Sequence, residues 1–313
     1  MNYPDELMFL KNRKMPMTFS TVSLQGKTIV LTGATSGIGH VTALKLAEGG
    51  ANLILVARNP KLANHVKEEI QRSFNVGVNI VLADFRDLDE VHQAADQILS
   101  MTDPIDGLIH CAGMHSTQAT WTKAGHETVF CVNHLASFAL TCRLLPLLKA
   151  SAPSRILNIN SEGHRFNGLD LNDLTWKKRH YTGLRGYGAS KTAQLLTTWE
   201  FADRLEGSRV TINAMHPGDV KSNIGQNNGF LYRLFSKWVI QPMLNDPIVS
   251  AKAIYSLMAD PSLADVSRRF YHLVIEEIPA KHAMNRQLSP KIFEISCRLT
   301  GIDPITLERT ENE

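Results

Sequence analysis

Short apolar runs alternate with longer segments of helical periodicity from about residue 27 onward. A run of β-branched residues, a turn and an amphipathic segment together are typical of a βαβ unit, and a series of such units predicts a parallel sheet. The predicted strands are apolar almost throughout, as expected when helices cover both faces of the sheet. They lie at 28–32, 52–57, 78–83, 107–112, 155–160 and 209–215. The pattern therefore indicates an α/β protein with six strands.

The same pattern indicates a single domain. No linker rich in Pro, Gly or Ser divides the 313 residues, and 43% of them are hydrophobic, which is enough for a sizeable core. Residues 1–25 are predicted to form an N-terminal extension, and 26–260 the dinucleotide-binding and catalytic domain. Residues 261–313 are predicted to form a C-terminal extension that completes the domain.

Charge and composition narrow the function classes. The net charge is +3 and no long block of like charge occurs, so we expect no nucleic-acid partner. Four cysteines without a CxxC pair, and no signal peptide, favour reduced thiols and a cytoplasmic protein. The twelve histidines are scattered without a ligand-spaced motif, so no metal is expected. No apolar run reaches the roughly 18 residues of a transmembrane segment.

A glycine-rich turn joins the first predicted strand to the first predicted helix. In the sequence TGATSGIG, glycines stand at Gly33, Gly37 and Gly39. Glycines allow backbone amides to approach a pyrophosphate closely, and the helix N-terminus supplies free N–H donors and partial positive charge. This predicts a dinucleotide site that also includes Thr35, Ser36 and Ile38. The alternative is a tight turn with no ligand.

Two residues at later strand ends bear on the adenosine part of a dinucleotide. Arg58 follows the second strand, where an NAD-selective site usually has a carboxylate for the ribose 2′-hydroxyl. A guanidinium can bind a 2′-phosphate, so NADP(H) is preferred over NAD(H), the alternative being a solvated surface arginine. His40 could add a weaker contact to that phosphate. Asp84 could hydrogen-bond adenine or cap a helix, although Asp87 is the better capping candidate.

The sequence YGASK places Tyr187 and Lys191 four positions apart at the expected start of a helix, so their side chains can converge. A nearby ammonium favours phenolate and would lower the pKa of Tyr187, although most such pairs are surface pairs. Ser161 ends a buried strand, at the sheet edge where cofactors bind in doubly wound folds. Its hydroxyl could hold a substrate oxygen while Tyr187 exchanges a proton, and the alternative is a cap or turn residue.

Four motifs in this order resemble the classical short-chain dehydrogenase/reductase family over roughly residues 26–260. They are TGATSGIG, the strand-end Ser161, YGASK and HPGDV at 216–220. The resemblance implies a Rossmann-type doubly wound parallel sheet. Less specific similarities to the retinol dehydrogenase-like branch are ARN after the second strand, NGLDLNDL after Ser161 and the late DPIVSAKAIYSLMADPSL.

The family resemblance also implies roles for further residues. Asn133 joins Ser161, Tyr187 and Lys191 in the catalytic set and holds a water that links Lys191 to solvent. A nicotinamide pocket is implied beside Pro217, Gly218 and Val220, with Ser222 where relatives often have Thr. Where the family typically has NNAG this chain has HCAG, which retains Ala112 and Gly113 for close backbone approach and leaves His110 as a core residue.

The expected function is an NADP(H)-dependent interconversion of an alcohol and a ketone or aldehyde on a hydrophobic small molecule, similar to a retinoid, steroid or secondary metabolite. The alternative is a catalytically silent NADP(H)-binding sensor or scaffold. The resemblance places a substrate flap at about 222–245. Its amphipathic part, 229–244, could also be an oligomer surface or a peripheral membrane contact. The resemblance further implies a homodimer or homotetramer.

Overall fold

The computed structural model describes residues 15–101, 104–218 and 246–304. The predicted flap and the predicted roles of Val220 and Ser222 lie outside these residues.

One sheet of eight strands organises the described chain, in the order β3-β2-β1-β4-β5-β6-β7-β8. Strands β1 to β7 are parallel, and β8 pairs antiparallel with β7. The strands are β1 Thr28–Thr32, β2 Asn52–Ala57, β3 Val78–Leu82, β4 Gly107–His110, β5 Ser154–Ile159, β6 Val210–His216, β7 Phe270–His272 and β8 Ile275–Glu276. The predicted doubly wound parallel sheet is confirmed, and the six predicted strands match within two residues at each end.

Helices cover both faces of the sheet. They are α1 Gly37–Glu48, α2 Pro60–Ser73, α3 Leu88–Met101, α4 Thr128–Ala150, α5 Gly183–Arg204, α6 Pro247–Ala259 and α7 Ser289–Thr300. Side chains alternate between the faces of a strand. Val30 accordingly packs in a core with α3, α4 and α7, whereas Ile29 and Leu31 pack in a second core with α1, α2 and α6. This two-sided burial explains the almost continuous apolar composition of the strands.

Local sequence explains where several helices begin. Asn59 caps α2, since its Oδ1 accepts hydrogen bonds from Lys61 N at 3.0 Å and Leu62 N at 3.1 Å, with Pro60 at the first helical position. Asp87 Oδ1 accepts from Asp89 N at 3.1 Å, which confirms the predicted cap before α3. These caps satisfy amide groups that a helix start leaves without a partner.

The two ends of the described chain pack onto the domain. Leu24 is buried, and the Tyr255 hydroxyl of α6 donates to the Val22 carbonyl at 2.6 Å. The C-terminal part adds β7 and β8 to the sheet and α7 to one face. The pattern missed β7 and β8 because three and two residues are too few to show periodicity.

Helix α4 is long and apolar enough to cross a membrane by length and composition, which the sequence analysis did not anticipate. In its most apolar 18-residue window, 89% of the residues are buried inside the domain. A helix that is apolar on all sides can be the core helix of a globular domain, because neighbouring elements cover every face. Its composition is therefore explained by packing within the domain.

Strands β1 and β4 are neighbours although β2 and β3 intervene in the sequence, so the strand order reverses between them. In open α/β sheets, ligands bind outside the carboxyl ends of the strands at such a switch point. The glycine-rich turn follows β1 and the HCAG segment follows β4. The topology therefore places both at the expected ligand site.

Candidate active site

A cavity of about 1320 Å³ lies at the carboxyl ends of the strands. Pockets for a single small ligand commonly measure about 300–1,000 Å³, so this one has room for a cofactor together with a small substrate. Most residues predicted for the site line it, namely Gly33, Thr35, Ser36, Gly37, Ile38, Gly39, Arg58, Asp84, Ala112, Gly113, Ser161, Tyr187, Lys191, Pro217 and Gly218. The fold thus brings together residues that are up to 185 positions apart, from Gly33 to Gly218.

The glycine turn allows backbone segments to pack closer than side chains would permit. A Cβ atom on Gly39 would lie 2.2 Å from the Gly33 carbonyl oxygen, and one on Gly33 would lie 2.7 Å from the Ala112 backbone. Gly33 also has φ +73°, a conformation that favours glycine. The N-terminus of α1 lines the cavity together with this turn, and no side-chain hydrogen bond caps its first amides, which fits a pyrophosphate group.

Thr32 holds the HCAG segment against this turn. Its Oγ1 accepts hydrogen bonds from Cys111 N at 3.1 Å and Ala112 N at 3.0 Å. His110 is buried, and its Nε2 lies 2.8 Å from Thr141 Oγ1, as expected of a core histidine. Thr32 therefore fixes the backbone of the HCAG segment beside the glycine turn.

The adenosine end of the cavity carries exposed charges. Arg58 is exposed, lines the cavity and makes no salt bridge to another described residue. Asp84 forms a salt bridge with Arg86, whose Nη2 lies 2.5 Å from Asp84 Oδ2. Burial acts to raise the pKa of Asp84, but the hydrogen bonds and charge of Arg86 outweigh it and lower that pKa. The Asp84 backbone N–H donates to Glu90 Oε2 at 2.8 Å. The carboxylate and the backbone amide of Asp84 therefore both have protein partners.

His40 has a different role from the phosphate contact considered for it. Its Nε2 lies 2.8 Å from Glu69 Oε2 on α2. His40 does not line the cavity among the residues that the structure describes. The predicted contact with the 2′-phosphate is therefore not supported by the position of this ring.

At the other end of the cavity, the Tyr187 and Ser161 side chains lie next to each other, both against Gly163. Ser161 also caps the short helix Glu162–Phe166, because its Oγ accepts from Gly163 N at 3.1 Å. A Cβ on Gly163 would lie 2.7 Å from two ring carbons of Tyr187, so the ring packs directly on this backbone. The serine hydroxyl and the phenol are thus brought together at one place in the structure.

Lys191 lies one turn after Tyr187 on α5 and is 3% exposed. Its Nζ is 5.8 Å from the Tyr187 ring centroid and donates to the Ile159 carbonyl at 2.8 Å. Burial lowers the pKa of Lys191 to about 8, because desolvation disfavours the ammonium form. Helix α5 begins at Gly183, capped by Thr182, and so starts one turn earlier than the sequence pattern indicated.

The pKa of Tyr187 differs from the sequence prediction. Burial raises it, and the hydrogen bond from Ser161 only partly offsets that rise. The Lys191 ammonium does not lower it as expected, since Nζ is directed to the Ile159 carbonyl. A phenol whose pKa is raised in this way keeps its proton at neutral pH.

The Asn133 side chain is fully engaged with protein groups. Its Oδ1 accepts from Met114 N at 2.8 Å, and its Nδ2 donates to Met114 O and Ser190 Oγ, each at 3.0 Å. Asn133 is buried in the π-helical turn Cys131–Leu135 of α4 and does not line the cavity. Its side chain therefore braces the cavity wall against α5.

Gln194 connects Asn133 with Lys191. Its Nε2 donates to the Asn133 carbonyl at 3.2 Å, while its Oε1 lies 3.4 Å from Lys191 Nζ and accepts from Asn160 Nδ2 at 2.9 Å. A side-chain amide thus connects the Asn133 backbone with Lys191, whereas the resemblance implied a water, held by Asn133, between Lys191 and solvent. Gln194 follows Lys191 by three positions, so helical spacing was the signal that could have identified it.

Comparison with known proteins identifies the family to which this chain belongs. Residues 27–229 match the family model described as short chain dehydrogenase. Retinol dehydrogenase 13 of Homo sapiens is 35% identical over 289 residues, covering 91% of this chain and 87% of that protein. Retinol dehydrogenase 12 of Mus musculus is 33% identical over 287 residues, covering 90% and 89%. The chain belongs to the short-chain dehydrogenase/reductase family, in its retinol dehydrogenase-like branch.

Solved structures agree with the fold of this family. A protein from Mycobacterium Paratuberculosis is 27% identical with a TM-score of 0.70, covering 91% of this chain and 99% of that one. A short chain dehydrogenase from Shigella flexneri, solved in complex with NADP, has a TM-score of 0.64 at 20% identity, covering 81% and 99%. At 20% identity, the similarity to the Shigella flexneri protein shows only a shared fold.

Membership in this short-chain dehydrogenase/reductase branch makes the chain a nicotinamide-dependent oxidoreductase that interconverts an alcohol and a carbonyl. The conformation and packing of Gly33 and Gly39 fit the pyrophosphate of that cofactor, as described above. Sequence reasoning missed Thr32, Arg86 and Gln194. No sequence pattern identified Thr32 or Arg86, because only the structure shows their hydrogen-bond and salt-bridge partners.

Proposed function

We propose that this protein is an NADP(H)-dependent oxidoreductase for hydrophobic alcohols and their ketones or aldehydes. One observation carries the proposal. The side chains of Ser161 and Tyr187 lie together against Gly163 at one end of a large cavity, with the buried ammonium of Lys191 next to the phenol ring.

The glycine turn and the N-terminus of α1 would hold the pyrophosphate, with Arg58 at the adenosine end and Pro217 and Gly218 at the nicotinamide end. When bound, the cofactor supplies or accepts the hydride. The remaining steps belong to side chains of this chain.

Ser161 and Tyr187 present two hydroxyls to a substrate oxygen. Ser161 would donate a hydrogen bond that polarises a carbonyl, and Tyr187 would transfer its proton to the oxygen as the alcohol forms. Burial raises the pKa of Tyr187, so the phenol is protonated at neutral pH and suited to donate. In the form described by the structure, these groups favour reduction.

Lys191 would stabilise the phenolate that remains after proton transfer. Its charge acts in a buried site, where electrostatic interactions are stronger than in water. Because its pKa is lowered to about 8, the ammonium is present at neutral pH and is lost at moderately alkaline pH. Proton transfer would therefore depend on a cation that titrates near the working range.

Arg58 supports the preference for NADP(H). The residue after β2 is this exposed arginine instead of a carboxylate, and no salt bridge to a described residue occupies it. A free guanidinium can bind a 2′-phosphate through two parallel hydrogen bonds, whereas a carboxylate would repel it. Arg86 lies in the same wall but is already paired with Asp84, so its contribution is expected to be smaller.

The substrate class follows from the relatives and the cavity wall. Relatives named retinol dehydrogenases match most of the chain, and retinol is a lipophilic alcohol. Met114 and Trp121 line the cavity, and Trp121 is 47% exposed. Their apolar surface favours a hydrophobic substrate over a sugar or a charged metabolite.

Purified full-length protein is expected to oxidise NADPH with a panel of hydrophobic aldehydes and ketones, including retinal, at least tenfold more efficiently than NADH. The panel needs hydrophilic aldehydes of similar reactivity as the matched control. Equal turnover of hydrophilic compounds would contradict the substrate class, and a preference for NADH would contradict the cofactor assignment. Tight NADPH binding with no turnover across the panel would instead establish the silent sensor.

A further inference from the structure

Three buried side chains meet beneath the catalytic end of the cavity. Glu162 directly follows Ser161, and His216 directly precedes Pro217. His272 lies on β7, directly paired with His216 of β6, so both rings project from the same face of the sheet. The two ring centroids are 5.2 Å apart. Residues from three separate parts of the chain therefore share one buried position.

The cluster contains polar atoms that the protein leaves unsatisfied. Neither ring nitrogen of His216, which is 5% exposed, has a hydrogen-bond partner among the described residues, nor does the buried Oε1 of Glu162. Leaving a buried polar atom without a partner costs free energy, and most such atoms in native proteins are satisfied. The ring of His216 and one oxygen of Glu162 are thus available to a ligand within the cluster.

The donor set matches one class of ligand. One ligand atom from each of Glu162, His216 and His272 lies within 4.8 Å of the other two, and no other such group of three is found in the described ranges. Two imidazoles and one carboxylate suit a zinc-class transition-metal cation, whereas Mg²⁺ and Ca²⁺ prefer oxygen ligands. Zinc bonds of about 2.0–2.2 Å would require these atoms to move inward by roughly 1 Å.

Charge balance permits a cation despite a nearby arginine. Arg165 forms a salt bridge with Glu162 through Oε2, and Glu162 Oε1 has no hydrogen-bond partner among the described residues. Arg165 Nη2 also lies 2.6 Å from Glu277 Oε1. Two carboxyl groups therefore contact the guanidinium, so its positive charge is paired within the protein.

We propose that Glu162, His216 and His272 form a binding site for a zinc-class divalent cation. The prediction of no metal rested on the absence of local ligand spacing, and these residues are 54 and 56 positions apart in sequence, at 162, 216 and 272. Strand pairing creates the site without any local motif. A bound cation would join the segments that follow β5 and end β6, on which Ser161 and Pro217 lie.

The test uses the full-length chain without an affinity tag. Zn²⁺ binding is measured by calorimetry, and Co²⁺ is titrated as a spectroscopic substitute whose visible bands report nitrogen ligation and coordination number. We expect one ion per chain and Co²⁺ bands typical of a four- or five-coordinate site with imidazole ligands. Absence of these bands in the unsubstituted protein would overturn the proposal without any variant.

Variants assign the ion to the cluster. Glu162→Gln and His272→Asn are each expected to weaken Zn²⁺ binding at least about tenfold and to change the Co²⁺ bands. His110→Gln is the matched control, because His110 is equally buried but bonded to Thr141 outside the cluster. Folding is checked by circular dichroism. Equal loss in the control, or unchanged binding in both cluster variants, would show that the ion binds elsewhere.

Discussion

The two ends of the cavity are built in different ways. The adenosine end consists of glycine backbone and of arginines that are exposed to solvent, such as Arg58. The reaction end consists of buried polar groups, with Lys191 3% exposed and Asn160 2% exposed. Solvated charges are screened by salt and interact weakly, whereas buried charges interact strongly and have shifted pKa values. The adenosine end should therefore determine which cofactor binds, and the reaction end how fast a proton moves.

Replacement of Tyr187 with Phe gives the sharpest test of this division. It removes one hydroxyl at the reaction end and leaves the adenosine end intact, so kcat should fall about 10³-fold with little change in NADPH affinity. Single-turnover kinetics and fluorescence titration measure the two quantities separately.

Tyr181→Phe is the matched control. The Tyr181 hydroxyl also donates a hydrogen bond within the protein, to Ser116 O at 3.3 Å, but it lies outside the proposed reacting pair. We expect this variant to retain most of its activity. Comparable losses in both variants would mean that the tyrosines act through packing.

Replacement of Arg58 with Gln should have the opposite signature. Loss of a charge-assisted contact of about 1.5–3 kcal/mol predicts a rise of about 10–100-fold in the KM for NADPH, with the KM for NADH and both kcat values nearly unchanged. Arg86→Gln, which removes the partner of Asp84, is expected to have a smaller effect. An equal rise in the KM values for NADPH and NADH would show that Arg58 does not bind the 2′-phosphate.

The pH dependence of the reaction end should follow Lys191. Its pKa is lowered to about 8, so the ammonium predominates below pH 8 and disappears above it. For reduction, kcat/KM for NADPH should be level below pH 8 and then fall about tenfold per pH unit. A guanidinium keeps its charge, so Lys191→Arg should remove the break; if that variant does not fold, NMR titration of Lys191 Nζ locates the pKa directly. A level profile up to pH 9.5 would contradict this role.

The succession of strands and helices in the βαβ units could be predicted from the sequence. The strands at Thr28–Thr32 and Asn52–Ala57 match the prediction, because continuous apolar runs bounded by turns have few alternatives. Helix α5 was predicted to begin at Tyr187, yet it begins at Gly183 and includes Gly186, although glycine disfavours helix. Local sequence preference determines where an element begins and ends when packing is uniform. Tertiary contacts determine these bounds elsewhere.

The common location of the proposed reacting residues could also be predicted, but not their electrostatics. Ser161, Tyr187 and Lys191 occupy one end of one cavity, as expected. The pKa of Tyr187 is raised instead of lowered, since that value depends on burial and on the direction of the Lys191 ammonium. The cytoplasmic location and the homodimer or homotetramer depend on surfaces and partners and stay predictions.

Gln194 offers the finest distinction between the two ends, because it belongs only to the reaction end. Its Oε1 lies 3.4 Å from Lys191 Nζ, and loss of this acceptor in Gln194→Met should favour the neutral amine and move the pH break below 8. Gln194→Glu is the matched variant and should move the break upward, since a carboxylate favours the ammonium. Losing one hydrogen bond of about 1 kcal/mol predicts a fall in rate of only about fivefold for the Met variant at neutral pH. The pH profile of kcat/KM for NADPH separates this role from packing: a purely structural residue would lower stability in both variants and leave the break where it is, whereas an amide that positions Lys191 must shift it in opposite directions.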